Sequence, residues 1–109
     1  YIHTMEASPY AEKAQPAANT LRNLVPAAGH LVHMPTHIYM QVGRYAESFT
    51  LNAQAAKADE DYLIQCRSQG IYPLGYYPHN IHFQTWAALL NTPPSAVRTI
   101  CSSSRADGL

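Results

Sequence analysis

Apolar positions recur at three- and four-residue intervals along most of the chain, and that spacing predicts helices rather than strands. Tyr1, Ile2 and Met5 share one side of a short helical stretch over residues 1–7. Ser8 then reads as an N-cap, with Pro9 at the first helical position. The next helix runs to about residue 24, its face marked by Ala11, Ala14, Ala18, Leu21 and Leu24 or Val25. Pro16 lies inside it and either removes a hydrogen bond or sets the start one turn later. Pro26-Ala27-Ala28-Gly29 is a break, followed by a helix over residues 31–42 that Pro35 disturbs. Gly43-Arg44 is a tight turn. Residues 45–62, with an outer limit at 68, form the longest helical signal, with Phe49, Ala53, Ala56 and Tyr62 on one side. Residues 69–78 form a loop with two glycines, two prolines and three tyrosines between them. A helix over 78–90, a break at Asn91-Thr92-Pro93-Pro94 and a further helix from Ser95 to about Ser102 complete the chain. No period-two alternation appears, so the expected fold class is all-α, built from antiparallel helix pairs joined by short turns.

The pattern also repeats. Sliding the chain by 35 residues pairs Met5 with Met40, Tyr10 with Tyr45, Ala11 with Ala46, Glu12 with Glu47 and Ala18 with Ala53. A slide of 34 residues instead pairs His3 with His37. The stretch Tyr39-Met40-Gln41-Val42-Gly43-Arg44-Tyr45-Ala46-Glu47, followed by Ala55, resembles the end of helix A, the turn and the start of helix B of the tetratricopeptide repeat. Pro26 matches that family's closing proline. Val32 stands where the family has its early tryptophan, and Pro35-Thr36 where it has Leu-Gly. The 29–47 block is similar to a segment of long bacterial tetratricopeptide-repeat proteins. The resemblance implies one helical-repeat domain over residues 1–109, with units at about 1–26, 28–62 and 78–103 and helix A of each unit lining a concave groove. In the unit built on Gly43 the groove positions fall on His30, His33, His37 and Met40. His3 and Glu6 come close to equivalent positions in the first unit, and His79 and His82 lie on another helix A.

Composition adjusts this picture in two ways. The chain has 109 residues, 47% apolar and only 13% charged, about half the usual charged share of a soluble domain. Such a chain is expected to cover part of its surface with another copy or with the rest of a longer parent chain, and terminal repeats need capping. The uncapped start at Tyr1-Ile2-His3 and the polar stretch from Cys101 to Leu109 point to a piece of a longer repeat protein. The formal net charge is zero and the basic residues are spread singly, which argues against nucleic acid. No apolar run is long enough for a membrane span. No signal peptide is visible, so the expected location is cytoplasmic. Cys66 and Cys101 read as free, buried thiols.

The candidate chemistry is concentrated in histidine. Three of the six histidines, His30, His33 and His37, fall within eight residues. At these spacings they share one helix face, with neighbouring side chains about 5–6 Å apart at Cβ. Imidazoles grouped like this admit three readings: structural or ligand-groove histidines, a transition-metal site, and metal-free acid–base catalysis. The metal reading draws on His33, His37, His79, His82, His3 and Glu6, and such a set suits zinc, copper, nickel or iron, with zinc or copper preferred. Zinc on three histidines and a water would permit hydrolysis, because the bound water titrates near ~7. There is no HExxH motif, since His33-Met34-Pro35-Thr36-His37 lacks the glutamate.

Other residues read more plainly. Tyr72, Tyr76 and Tyr77 are candidates for ligand contact beside His79. Tyr39, Tyr45 and Trp86 are expected in the core, Asp59-Glu60-Asp61 on a solvated face, and Cys66 as a small core residue. The preferred expectation is a binding module. Its concave groove, lined by His30, His33, His37, Met40, His79, His82, Tyr76 and Tyr77, would take a peptide, a protein segment or a small ligand. The alternative is a metal site in that groove serving a metal-dependent hydrolase.

Overall fold

The computed structural model describes residues 1–66 and 72–93, apart from the side chain of Tyr72. The expected helix from Ser95, the end of the third unit and Cys101 lie outside these residues. Among the described residues the regular structure is all helical, as the apolar spacing predicts. The elements are α1 (Ile2–Glu6), a 3₁₀ turn (Ala11–Ala14), α2 (Gln15–Leu21), α3 (Gly29–His33), α4 (Pro35–Gln41), α5 (Tyr45–Cys66), a π turn (Tyr72–Tyr76) and α6 (Tyr77–Asn91). None of these helices is long and apolar enough to cross a membrane.

Proline sets the local breaks. Pro16 sits at the start of α2 and Pro78 at the start of α6, where a missing N–H costs nothing. The expected helix from Pro9 is therefore a turn and a 3₁₀ segment first. Pro35 divides one helical rod into α3 and α4, while Met34 between them keeps helical dihedrals (φ −49°, ψ −40°). The rod begins at Gly29, two residues earlier than expected, so His30 stays helical with His33 and His37.

The C-terminus of α4 closes as a Schellman motif. Gly43, at φ +79°, donates to the Met40 carbonyl, and Arg44 donates to the Tyr39 carbonyl at 2.8 Å. Arg44 then clamps three helices. It forms two 2.6 Å hydrogen bonds to the Glu47 carboxylate, lies 4.1 Å from the Tyr39 ring centroid and reaches Asn19 on α2.

Helix α4 packs against α1, α2 and α5, while α5 packs against α3 and α6. The core is built from Ile2, Ala11, Ala14, Ala18, Val32, Met34, Ile38, Tyr39, Leu51 and Ala55. Its many alanines let helix backbones approach closely.

The buried face of α5 differs from the expected one. Ser48, Leu51, Asn52, Ala55, Ala56 and Asp59 point inward, whereas Phe49 and Tyr62 are exposed. Asp59 is fully buried rather than solvated, Trp86 is half exposed, and Cys66 is exposed at the end of α5. The buried polar residues face the histidines of α3 and α4, so this side of α5 serves a polar interior.

Candidate metal centre

Glycine and proline place the first two imidazoles. The Cβ of any other residue at position 29 would meet the Asp59 carboxylate and lie 2.6 Å from the Ala55 carbonyl oxygen. Only glycine lets α3 press this closely on α5. From that start, His33 and His37 lie one turn apart across the Pro35 break, both buried.

Their hydrogen bonds fix the tautomers. The Asn52 amide Nδ2 donates to the Ser48 carbonyl at 2.9 Å, which turns Oδ1 toward His33. His33 Nδ1 therefore donates to Asn52 Oδ1, at 2.7 Å. His37 Nδ1 donates to the Glu6 carboxylate Oε1, also at 2.7 Å. With each Nδ1 carrying the proton, each neutral ring presents a bare lone pair at Nε2. Those two Nε2 atoms face each other at 2.9 Å. Two lone pairs repel at that distance unless a shared proton or a cation lies between them.

The surroundings disfavour the proton. Burial pushes His33 down to about 3, with Asn52 opposing the shift. Burial also lowers His37, although the Glu6 carboxylate acts the other way. His79 and His30 are lowered too, chiefly by burial. Burial alone would raise Glu6, but hydrogen bonds from His37 and His3 outweigh it and hold its carboxyl below the usual range. The result is a group of neutral imidazoles beside one carboxylate, rich in lone pairs and poor in protons.

His79 on α6 supplies a third donor. Its ring centroid is 4.7 Å from that of His33 and 5.7 Å from that of His37. Ligating atoms of His33, His37 and His79 lie within 4.8 Å of one another, and so do those of His3, Glu6 and His37. The two sets share His37 and compete. A ring that gives Nε2 to a metal keeps its Nδ1 proton on Glu6, so the second set then lacks that lone pair. The His33 set is the more buried and is nitrogen-only. At zinc–nitrogen bonds of 2.0–2.1 Å, tetrahedral ligands sit about 3.3 Å apart. The observed 2.9 Å needs to open by only a few tenths of an ångström.

The other sequence candidates divide clearly. His3 joins the cluster from α1, with its ring centroid 4.7 Å from that of His37. His30 stacks on His33 at 6.0 Å and meets Tyr76 at 4.5 Å, so Tyr76 covers one end. Met40 lines a cleft beside His37. His82 is not brought in. It is exposed and packs on Trp86 at 4.9 Å. Tyr77 donates to Glu60 on α5 at 2.7 Å rather than turning to the histidines.

Three polar residues close to this site are absent from the sequence-based candidates: Asn52, Asp59 and Asn80, all fully buried. Asn80 Nδ2 donates to Asp59 at 2.6 Å, while Asn80 Oδ1 and His30 Nδ1 are buried without a hydrogen-bond partner. The usable signal was the spacing of positions 48, 52, 55 and 59, which is one helix stripe.

A pH dependence follows for the metal-free protein. An unfolded His33 binds a proton near 6.5, whereas the folded one binds it only near about 3. Stability is therefore complete above 6.5 and falls progressively as pH drops from 6.5 toward 3. His30, His37, His79 and Glu6, which face it or its neighbours, shift in the same direction. Thermal melts between pH 7.5 and 4.5 should show a falling midpoint; a flat profile would contradict a neutral, buried His33.

No protein-family model, characterised protein or solved structure matches this chain.

Proposed function

We propose that this chain is a tetratricopeptide-like helical array whose inner face holds one divalent transition metal, zinc or copper, on His33, His37 and His79. The opposed Nε2 atoms of His33 and His37, 2.9 Å apart with both Nδ1 atoms held by acceptors, carry this reading. Metal-bound histidines characteristically donate their other N–H to a carboxylate or carbonyl, which fixes the ring and raises its basicity. Glu6 and Asn52 are in place for that task. Three neutral imidazoles leave a fourth position for water or a ligand. With zinc there, a bound water titrating near ~7 gives the site hydrolytic capacity.

The helix packing supports the array. Helix α2 packs on α4, the α3–α4 rod on α5 and α5 on α6, and α3 also touches α6 directly. In a repeat array, that contact is between the A helices of successive units.

Elemental analysis of the purified protein tests the metal. About one equivalent of zinc or copper is expected. Zinc added to the stripped protein at a hundred times its dissociation constant should raise the melting midpoint by about 10 °C. Less than a tenth of an equivalent of any transition metal, with no melting shift on adding zinc or copper, would remove the proposal.

A second reading keeps the same face as a groove for a peptide or small ligand without metal. The observation in its favour is an apolar cleft beside His37.

A further inference from the structure

Helices α4 and α6 and the end of α1 border an open cleft of about 250 Å³ lined by Glu6, His37, Met40, Gln41, Phe83, Trp86 and Leu90. Its walls are apolar: Met40 from α4, and Phe83, Trp86 and Leu90 from α6. Its polar end is His37 with Glu6. Phe83 connects the wall to the histidines, with its ring centroid 4.5 Å from that of His37, 4.9 Å from His33 and 5.0 Å from His79. A molecule in this cleft lies against His37, one of the three imidazoles placed to hold the metal, and against Phe83, which touches all three. Two other hollows, one between Pro26 and Tyr62 and one between Ser8 and Gln41, are larger, yet neither is lined by a histidine.

Size and charge narrow the occupant. A cavity of about 150 Å³ holds benzene, so about 250 Å³ admits one ring or a branched alkyl group with a short polar head. No Lys or Arg stands among the described lining residues. The metal would bring two positive charges and Glu6 one negative charge. The remaining single positive charge matches a monoanion, whereas a phosphate-like dianion would find no second cation. His82 helps shape the wall by packing on Trp86, whose ring is also 6.0 Å from that of Phe83.

We infer that this cleft binds a small monoanion bearing one aromatic or branched apolar group, with its acid head on the metal and its apolar group against Met40, Phe83, Trp86 and Leu90. The inference rests on the metal reading above.

Trp86 is the only tryptophan in the chain, so its emission reports on the cleft directly. Zinc-loaded protein is titrated by calorimetry and by Trp86 fluorescence with two probes, benzohydroxamate and acetohydroxamate, which share a ligating head and differ in the ring. Benzohydroxamate should bind at least about tenfold more tightly, since the ring buries apolar surface, and should shift the Trp86 emission. Leu90→Ala, which opens one wall, should cut that advantage to about threefold or less. If zinc binds but the two probes bind alike, or Leu90→Ala leaves the ring's advantage intact, the cleft assignment falls and the metal centre stands. If zinc itself does not bind, both readings fall.

Discussion

His79→Gln protein should bind zinc more than about a hundredfold more weakly than wild type, while Asn52→Ala protein should lose about ten- to a hundredfold and His82→Ala protein less than about twofold. The order matters more than any single value. In the proposed site His79 would give a lone pair to the metal. Asn52 touches no metal and acts only through His33 Nδ1, at 2.7 Å. His82 has the same side-chain chemistry as His79 but lies outside both candidate ligand sets. Competition against a chromophoric chelator measures all three. His79 is the ligand of choice for removal because it is only partly buried, so its loss disturbs the fold less than loss of His33. The double change His33→Ala with His37→Ala should abolish binding outright. Equal affinities for the His79 and His82 variants would show that zinc, if it binds, is held elsewhere.

Gly29→Ala should lower the melting midpoint by about 10 °C. Two effects oppose each other. Alanine is intrinsically the better helix former, by as much as ~1 kcal/mol in a helix interior, and less at a first position such as this. Against that, the new methyl would meet the Asp59 carboxylate, which is fully buried and bonded to Asn80, and the Ala55 carbonyl oxygen at 2.6 Å. Neither obstacle is a flexible side-chain end that can swing into solvent. Overpacking of this kind costs about 1–3 kcal/mol, and each kcal/mol moves the midpoint of a domain this size by about 4–8 °C. The clash wins. Relief requires α3 to lift from α5, which also moves His33 away from Asn52, so zinc affinity should fall with stability. A midpoint within about 2 °C of wild type, on a scale where 1 kcal/mol is 4–8 °C, would show that α3 is not held against Asp59.

Much of this site was legible in the sequence because helix geometry is regular. The spacing of His30, His33 and His37 put them on one face, and the rod from Gly29 to Gln41 keeps them there despite Pro35. His3 and Glu6 were reached through the repeat register, and both join the cluster. Other features were hidden for identifiable reasons. Asp59 sits among Glu60 and Asp61 and reads as one of a solvated run, yet Asp59 alone points inward. The stripe of Ser48, Asn52 and Asp59 is polar, so a search for an apolar face selects Phe49 and Tyr62 instead. His79 and His82 have the same local spacing as His30 and His33, but spacing alone does not say which side of a helix is buried. On α6 that side is set by Asn80, Phe83 and Ala87, and the neighbour His79 keeps in the cluster is Phe83.

The bond between Glu6 and His37 spans 31 residues of sequence and ties the first helix to the middle of the chain. At five residues, α1 is far too short to be helical alone. Its position depends on Ile2 in the core and on Glu6 at the imidazole. Binding equilibria that share a group are reciprocal. If an ordered α1 sharpens the hold of His37 on an ion, an ion on His37 must strengthen the docking of α1 by the same free energy. The ion would then act as a latch on the start of the chain, and occupancy of the histidines would be readable at residues 1–6, which contribute one carboxylate and one imidazole to the cluster.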